Sequence, residues 1–138
     1  MSRYVLDSYA MLADYWHEPG WQRVEALLSS TSDECWMSLI NLGEAYYRIA
    51  EQEGLPAAER ARSWIGSLGI HFARIPWSMI YAAAGIKAVY RLSYADCFAA
   101  ALGRELDARV VTGDREFERI ERDGVVAMEW LPRTRARR

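Results

Sequence analysis

Four carboxylates, Asp7, Glu44, Asp96 and Asp114, come from four separate stretches of the sequence, three near the ends of expected elements and one on an apolar helix side. Asp7 closes the run Tyr4-Val5-Leu6, and Asp114 follows Val110-Val111 within Thr112-Gly113-Asp114. Asp96 sits among Tyr94, Ala95, Cys97, Phe98 and three alanines, with almost no other polar residue until Arg104. Glu44 lies four residues after Ile40 and three before Tyr47, which puts it on the side of a helix that those residues mark as buried. Carboxylates that converge repel one another, and several stay ionised together only where a cation compensates. Hard oxygen donors suit Mg²⁺ or Mn²⁺ rather than zinc. Such ions generate hydroxide and stabilise phosphate oxygens during an in-line displacement. Each acid taken alone also has a plainer reading. Asp7 and Asp114 are good helix N-caps, and Asp96 after Ser93 and Glu44 after Asn41 both have capping-box spacing.

The elements that must position these acids alternate between strand and helix. Tyr4-Val5-Leu6 reads as a strand, followed by a helix to about Tyr15 and a break at His17-Glu18-Pro19-Gly20. Trp21, Val24, Leu27 and Leu28 recur at helical spacing, and a polar turn leads to a buried strand at Cys35-Trp36-Met37. Ser38 caps a helix over residues 39–53, and Gly54-Leu55-Pro56 separates it from another over residues 57–67. A strand is expected over residues 70–75, helices over 77–90 and 93–106, and a strand at Val110-Val111. A short helix over residues 115–122 and a last strand at Val125-Val126-Ala127-Met128 complete the series. Strands separated by helices pair in parallel through right-handed crossovers. The expected fold is therefore an α/β/α three-layer sandwich on a short, mainly parallel sheet. Ligands of such folds gather at the carboxyl ends of the strands, where Asp7 and Asp114 fall.

Composition narrows the function. The chain has 138 residues, 51% hydrophobic and 26% charged, enough for one domain with its own core. We expect that domain over residues 1–132 and a basic tail over residues 133–138. No apolar run approaches the roughly 20 residues that span a bilayer, and Met1-Ser2-Arg3-Tyr4 is not a signal peptide; a cytoplasmic protein without membrane contact is expected. Cys35 and Cys97 lie outside any metal-binding spacing and read as buried fillers. His17 and His71 have no nucleophile motif beside them, which argues against Ser–His or Cys–His catalysis. Seventeen Lys and Arg against nineteen Asp and Glu give a net charge of −2. Bulk electrostatics would not draw such a protein to a polyanion, whereas a bound metal would.

Four stretches in this order resemble the four motifs of PIN-domain ribonucleases, and in particular the VapC-type toxins of toxin–antitoxin pairs. They are Val5-Leu6-Asp7-Ser8-Tyr9-Ala10, Asn41-Leu42-Gly43-Glu44-Ala45-Tyr46-Tyr47, the run from Leu92 to Ala101 around Asp96, and Val110-Val111-Thr112-Gly113-Asp114-Arg115-Glu116-Phe117. The resemblance spans nearly the whole chain. It implies an endoribonuclease dependent on Mg²⁺ or Mn²⁺, an RNA substrate, a homodimer and an inhibiting antitoxin of VapB type. Under it, Asp7, Glu44, Asp96 and Asp114 are the catalytic and metal-holding acids. Ser8 and Thr112 supply supporting hydroxyls, and Glu116 is a supporting acid whose plainer role is a favourable charge in a helix's first turn.

Two other classes compete. A doubly wound phosphoacceptor or signalling module would phosphorylate Asp7 or Asp114. However, Tyr9 stands where a phosphatase of that kind has its second aspartate, and Lys87, the only lysine, falls on a helix. A PIN-like RNA-binding module without catalysis is the third class, and the intact set of acids argues against it. Of the six tryptophans, Trp36 and Trp77 are expected in the core, while Trp16, Trp21 and Trp64 are expected on helices that cover the sheet edge. The small-residue stretch over residues 79–89 would permit close helix packing, as in a dimer. The arginine tail could follow a phosphate backbone, although a solvated terminus explains it equally well.

Overall fold

The structure, a computed structural model, describes residues 1–133. The basic tail expected over residues 133–138 therefore lies outside the described residues beyond Arg133. In chain order the elements are β1 (Arg3–Leu6), α1 (Ser8–Tyr15), α2 (Trp21–Ser29), β2 (Glu34–Ser38), α3 (Leu39–Glu53), α4 (Leu55–Gly66), β3 (His71–Ala73), α5 (Trp77–Val89), α6 (Tyr94–Leu106), β4 (Arg109–Thr112), a 3₁₀ turn (Arg115–Phe117), α7 (Glu118–Arg122) and β5 (Met128–Trp130).

The five strands run in the order β3-β2-β1-β4-β5. All four pairings are parallel, with Val5 opposite Trp36 on one side and Val110 on the other. Parallel pairing demands a crossover for every strand, and the helices supply it on both faces. One apolar layer joins Val5 and Val110 to Phe98, Leu102, Phe117 and Ile120 from the helices after β3. The other joins Leu6 and Val111 to Met11, Val24, Ile49 and Ile65 from the helices before it. The α/β/α sandwich read from the sequence is the observed fold.

Local signals behave as their chemistry requires. Ser38 caps α3 by accepting from the Ile40 amide at 3.1 Å, and Ser93 caps α6 by accepting from the Asp96 amide at 3.1 Å. Pro56 does not delay α4, which starts at Leu55, because a proline in the first turn removes an N–H that has no helical partner. Cys35 and Cys97 are buried free thiols, as expected.

Three expectations need correction. The last strand is Met128–Trp130 rather than residues 125–128. Register decides this: the Val110 amide donates to the Ala127 carbonyl at 3.0 Å, and Met128 then pairs with Val110. Residues 115–122 are not one helix but a 3₁₀ turn followed by α7. Trp77 is 82% exposed and belongs to no core, because α5 is apolar nearly all round and composition could not say which side faces inward. Trp36 is partly buried, packed on the core and stacked with His71.

Helix α6 lies close over β4 and the segment that leads into β5. A Cβ at Gly103 would lie 2.8 Å from Val126 Cγ2 and 2.9 Å from Val110 Cγ2. Overpacking of this kind costs about 1–3 kcal/mol, more than the ~1 kcal/mol that alanine gains over glycine in a helix. Gly103→Ala should therefore lower stability by about 1 kcal/mol in urea unfolding. A stabilised variant would mean that the two valines yield freely.

Candidate active site

Asp7 is the first residue beyond β1 and has no exposed surface. It caps α1, with Oδ1 accepting from the Ala10 amide at 2.8 Å. Its second oxygen, Oδ2, is buried without a hydrogen-bond partner. Capping thus fixes the carboxylate and leaves one oxygen uncommitted. Burial pushes the Asp7 carboxyl up to about 7. The Thr112 hydroxyl and the Ala10 amide hold it down, and the charges of Asp114 and Glu44 raise it further.

Glu44 is buried one and a half turns into α3. Its Oε1 accepts from the Ser8 hydroxyl at 2.5 Å, which ties α3 to the start of α1. Its Oε2 lies 3.3 Å from Nη2 of Arg48, one turn further along α3. The buried side of α3 is Asn41, Glu44, Ala45 and Ile49. Tyr47, taken from the sequence as a marker of that side, is half exposed, although Glu44 is buried as expected.

Asp96 occupies the first turn of α6 and is buried. Burial pushes its carboxyl up to about 9, reinforced by the charges of Asp7, Asp114 and Glu44 and opposed by Ser93. Asp114 follows β4 and caps the 3₁₀ turn, with Oδ1 accepting from the Glu116 amide at 3.0 Å. Its own amide donates to the Thr112 hydroxyl at 3.0 Å. Thr112, fully buried at the end of β4, also accepts from the Leu131 amide through its carbonyl at 2.8 Å.

The four acids thus come together electrostatically from the ends of β1 and β4 and from α3 and α6. Ser8 and Thr112 stand among them. Glu116 does not join them: its side chain is exposed, and its amide rather than its carboxylate contacts Asp114.

Two polar residues of interest were not assigned a site role from the sequence. Asn41, fully buried, donates from Nδ2 to the Ala95 carbonyl at 3.2 Å and so links the helices that carry Glu44 and Asp96. Its spacing from Glu44 suggested a capping box, but Ser38 provides the cap. Asp14, at the end of α1, is a fourth buried acid, and neither of its carboxylate oxygens has a partner. Burial and the neighbouring Glu25 push it up to about 7. The clue in the sequence is that Asp14 follows the apolar run Ala10-Met11-Leu12-Ala13 and precedes Tyr15-Trp16.

Among the described residues no group of three or more His, Cys, Asp or Glu side chains forms a ready-made metal cage. The donor chemistry nevertheless fits a hard divalent cation. All four groups offer carboxylate oxygen, Asp7 Oδ2 is an orphaned buried acceptor, and burial first and mutual repulsion second raise Asp7 and Asp96.

A parallel sheet between two helical layers, with acids gathered near its carboxyl edge, is an α/β arrangement whose ligands collect at that edge. The PIN domain family model matches residues 4–123, and the chain belongs to that family. No curated protein matches the sequence. Among solved structures, the chain is similar to VapBC2 from Rickettsia felis bound to a DNA fragment from its promoter, with a TM-score of 0.73, 15% identity and coverage of 94% of this chain and 98% of that one. It is also similar to VapC20 of Mycobacterium tuberculosis, described as a Sarcin-Ricin loop cleaving toxin, with a TM-score of 0.70, 16% identity and coverage of 85% and 94%. A third similar structure is VapBC-1 from nontypeable Haemophilus influenzae, with a TM-score of 0.68, 18% identity and coverage of 93% and 97%. At these identities the likeness concerns the fold.

Proposed function

We propose that this protein is an endoribonuclease dependent on Mg²⁺ or Mn²⁺ that hydrolyses RNA phosphodiester bonds, and that it is the toxin of a toxin–antitoxin pair. The observation that carries the reading is Asp96: a buried carboxyl on α6 that feels the charges of Asp7, Glu44 and Asp114 from three other elements. Membership of the PIN family and the fold shared with VapC proteins support it.

Asp7, Glu44, Asp96 and Asp114 would hold the cation. When bound, it supplies Lewis-acid stabilisation of phosphate oxygens and acidifies water. Ser8 keeps Glu44 oriented by donating to Oε1, and Thr112 anchors the backbone that presents Asp114. A carboxylate of the cluster accepts the proton of the attacking water. The bond from phosphorus to the leaving oxygen then breaks, and that oxygen takes up a proton from solvent. The burial of Asp7, Asp96 and Thr112 excludes bulk water from the acids and strengthens every interaction made there. We assign residues 1–132 to one catalytic domain, with Glu116 at its rim.

The same reading gives the protein a VapB-type antitoxin and a cytoplasmic location, where RNA and antitoxin are both found. Among the described residues no helix is long and apolar enough to cross a membrane.

The test is cleavage of a mixed RNA pool. Activity should need Mg²⁺ or Mn²⁺ and disappear with EDTA or in Asp7→Asn. Cleavage that survives EDTA would falsify the reading, and RNA binding without cleavage would favour the non-catalytic module.

The homodimer in this proposal has a surface suited to it. Trp77, Ile80 and Tyr81 are exposed on α5 beside the small residues Ala84, Gly85 and Ala88, and aromatic anchors next to close-approach positions favour interfaces. Trp77→Glu combined with Tyr81→Glu should convert the dimer to a monomer in light scattering after size exclusion. A dimer that persists would place the interface elsewhere.

A further inference from the structure

We infer that Arg48 is the phosphate-binding arm of this site and that, until an RNA phosphate arrives, it occupies the oxygen of Glu44 that a cation needs. The inference rests on the nuclease reading above and adds a role for a residue outside the acid set.

The two oxygens of Glu44 are held differently. Oε1 takes the hydroxyl of buried Ser8 at 2.5 Å. Oε2 takes Arg48 Nη2 at 3.3 Å, and the arginine side chain is 52% exposed while that of Glu44 is 9% exposed. One contact is short and sheltered; the other is longer and faces water. Ion pairs one turn apart on a helix surface are weak, because solvent screens them and both side chains lose freedom in forming them. The Glu44–Arg48 pair is therefore easily exchanged.

Arg48 also stands alone in this position. Among the described residues, no other arginine or lysine pairs with Asp7, Glu44, Asp96 or Asp114. Apart from the contact to Glu44, its guanidinium has no hydrogen-bond partner among them. The guanidinium fork matches two oxygens of one phosphate, and charge-assisted bonds of that kind are among the strongest in proteins. A phosphate at the acid cluster thus offers Arg48 a better partner than Glu44. When Arg48 moves to it, Oε2 is freed beside the cation-holding oxygens.

Two consequences follow from this exchange. RNA and cation bind with positive coupling, each favouring the other. Removing Arg48 then shifts the two affinities in opposite directions, which no purely structural role would do.

The experiment uses the full chain and two probes. Mn²⁺ binding to the free protein is followed by electron paramagnetic resonance, and binding of a fluorescein-labelled 12-nucleotide uridine RNA is followed by anisotropy with Ca²⁺ in place of Mn²⁺, read before any cleavage. In Arg48→Ala, Mn²⁺ should bind about threefold more tightly, because a weak competitor is gone. The RNA should bind roughly tenfold more weakly. Arg48→Lys, which keeps the charge but not the fork, should recover little of the RNA affinity. Unchanged affinities, or a weakening of both together, would overturn the role assigned to Arg48. A parent protein that binds neither probe would instead remove the nuclease reading, so the two failures are distinguishable.

Discussion

Asp96→Asn is expected to reduce RNA cleavage by roughly a hundredfold and at the same time to unfold at a higher temperature than the parent at pH 8. Asp96 is buried, and its carboxyl is raised from 3.8 to about 9 by burial first and by three neighbouring charges second. The unfolded chain releases this proton near pH 4, while the folded protein retains it to about pH 9. Between those limits the folded state binds more protons than the unfolded state, so this group lowers stability progressively as pH rises. Asparagine removes the ionisation with little change in shape. The gain at pH 8 should be on the order of 2–3 kcal/mol, or roughly 5–10 °C in Tm for a chain of this size, and close to zero at pH 3. Mn²⁺ should raise the Tm of the parent at pH 8 and do so much less in the variant, because a ligand that binds only the folded state stabilises it. Calorimetry at the two pH values, with and without Mn²⁺, gives all four numbers. A variant less stable than the parent at pH 8 would show that Asp96 is held by favourable contacts rather than strained.

Asp14→Asn should stabilise the protein without touching cleavage. Asp14 is buried at the end of α1, both its oxygens lack partners, and it is raised to about 7 by burial and by Glu25 on α2. The sign is the same as for Asp96, but the window is narrower. The penalty is absent below about pH 4, grows as pH rises, and is complete above about pH 7. An asparagine amide can donate to the Glu25 carboxylate where two carboxylates repel. The expected gain is about 2 kcal/mol at pH 8 and none at pH 4, with cleavage unchanged because Asp14 lies outside the acid cluster. A loss of cleavage in Asp14→Asn would place this residue in the catalytic machinery after all.

The two variants separate two reasons for a protein to bury an uncompensated acid. Strain at a functional centre is retained because activity depends on it. Asp14 has no such justification in the geometry of the cluster.

Much of this arrangement is legible in the sequence because chain-local chemistry encodes it. Strand-helix alternation fixes a parallel sheet, and Asp7 and Asp114 follow apolar runs at the edge where such sheets gather ligands. Asp96 is conspicuous as an acid inside an alanine-rich helix. What the sequence obscures depends on partners far along the chain. The end strand was misplaced by about three residues because Val125 and Val126 look more strand-like than Glu129, whereas pairing with Val110 selects Met128–Trp130. Glu129 is tolerated in that strand because Arg23 of α2 bonds to it with both Nε and Nη2. Trp77 was misread because α5 carries apolar residues on both sides. The roles of Asn41 and Asp14 are not legible because they depend on neighbours across helices and not on spacing. For Asp7, Asp96 and Asp114, capping and clustering with the other acids proved compatible. Asp7 and Asp114 each cap through one carboxylate oxygen, and Asp96 has its amide capped by Ser93.

The acid groups are drawn from positions as distant as 7 and 114, on strands that meet only when β4 pairs beside β1. During synthesis the emerging polypeptide therefore cannot gather these acids until β4 has left the ribosome. If the protein acts on RNA as proposed, the translation machinery that makes it is spared by geometry alone during that interval, and a restraining partner needs to arrive only near the end of synthesis.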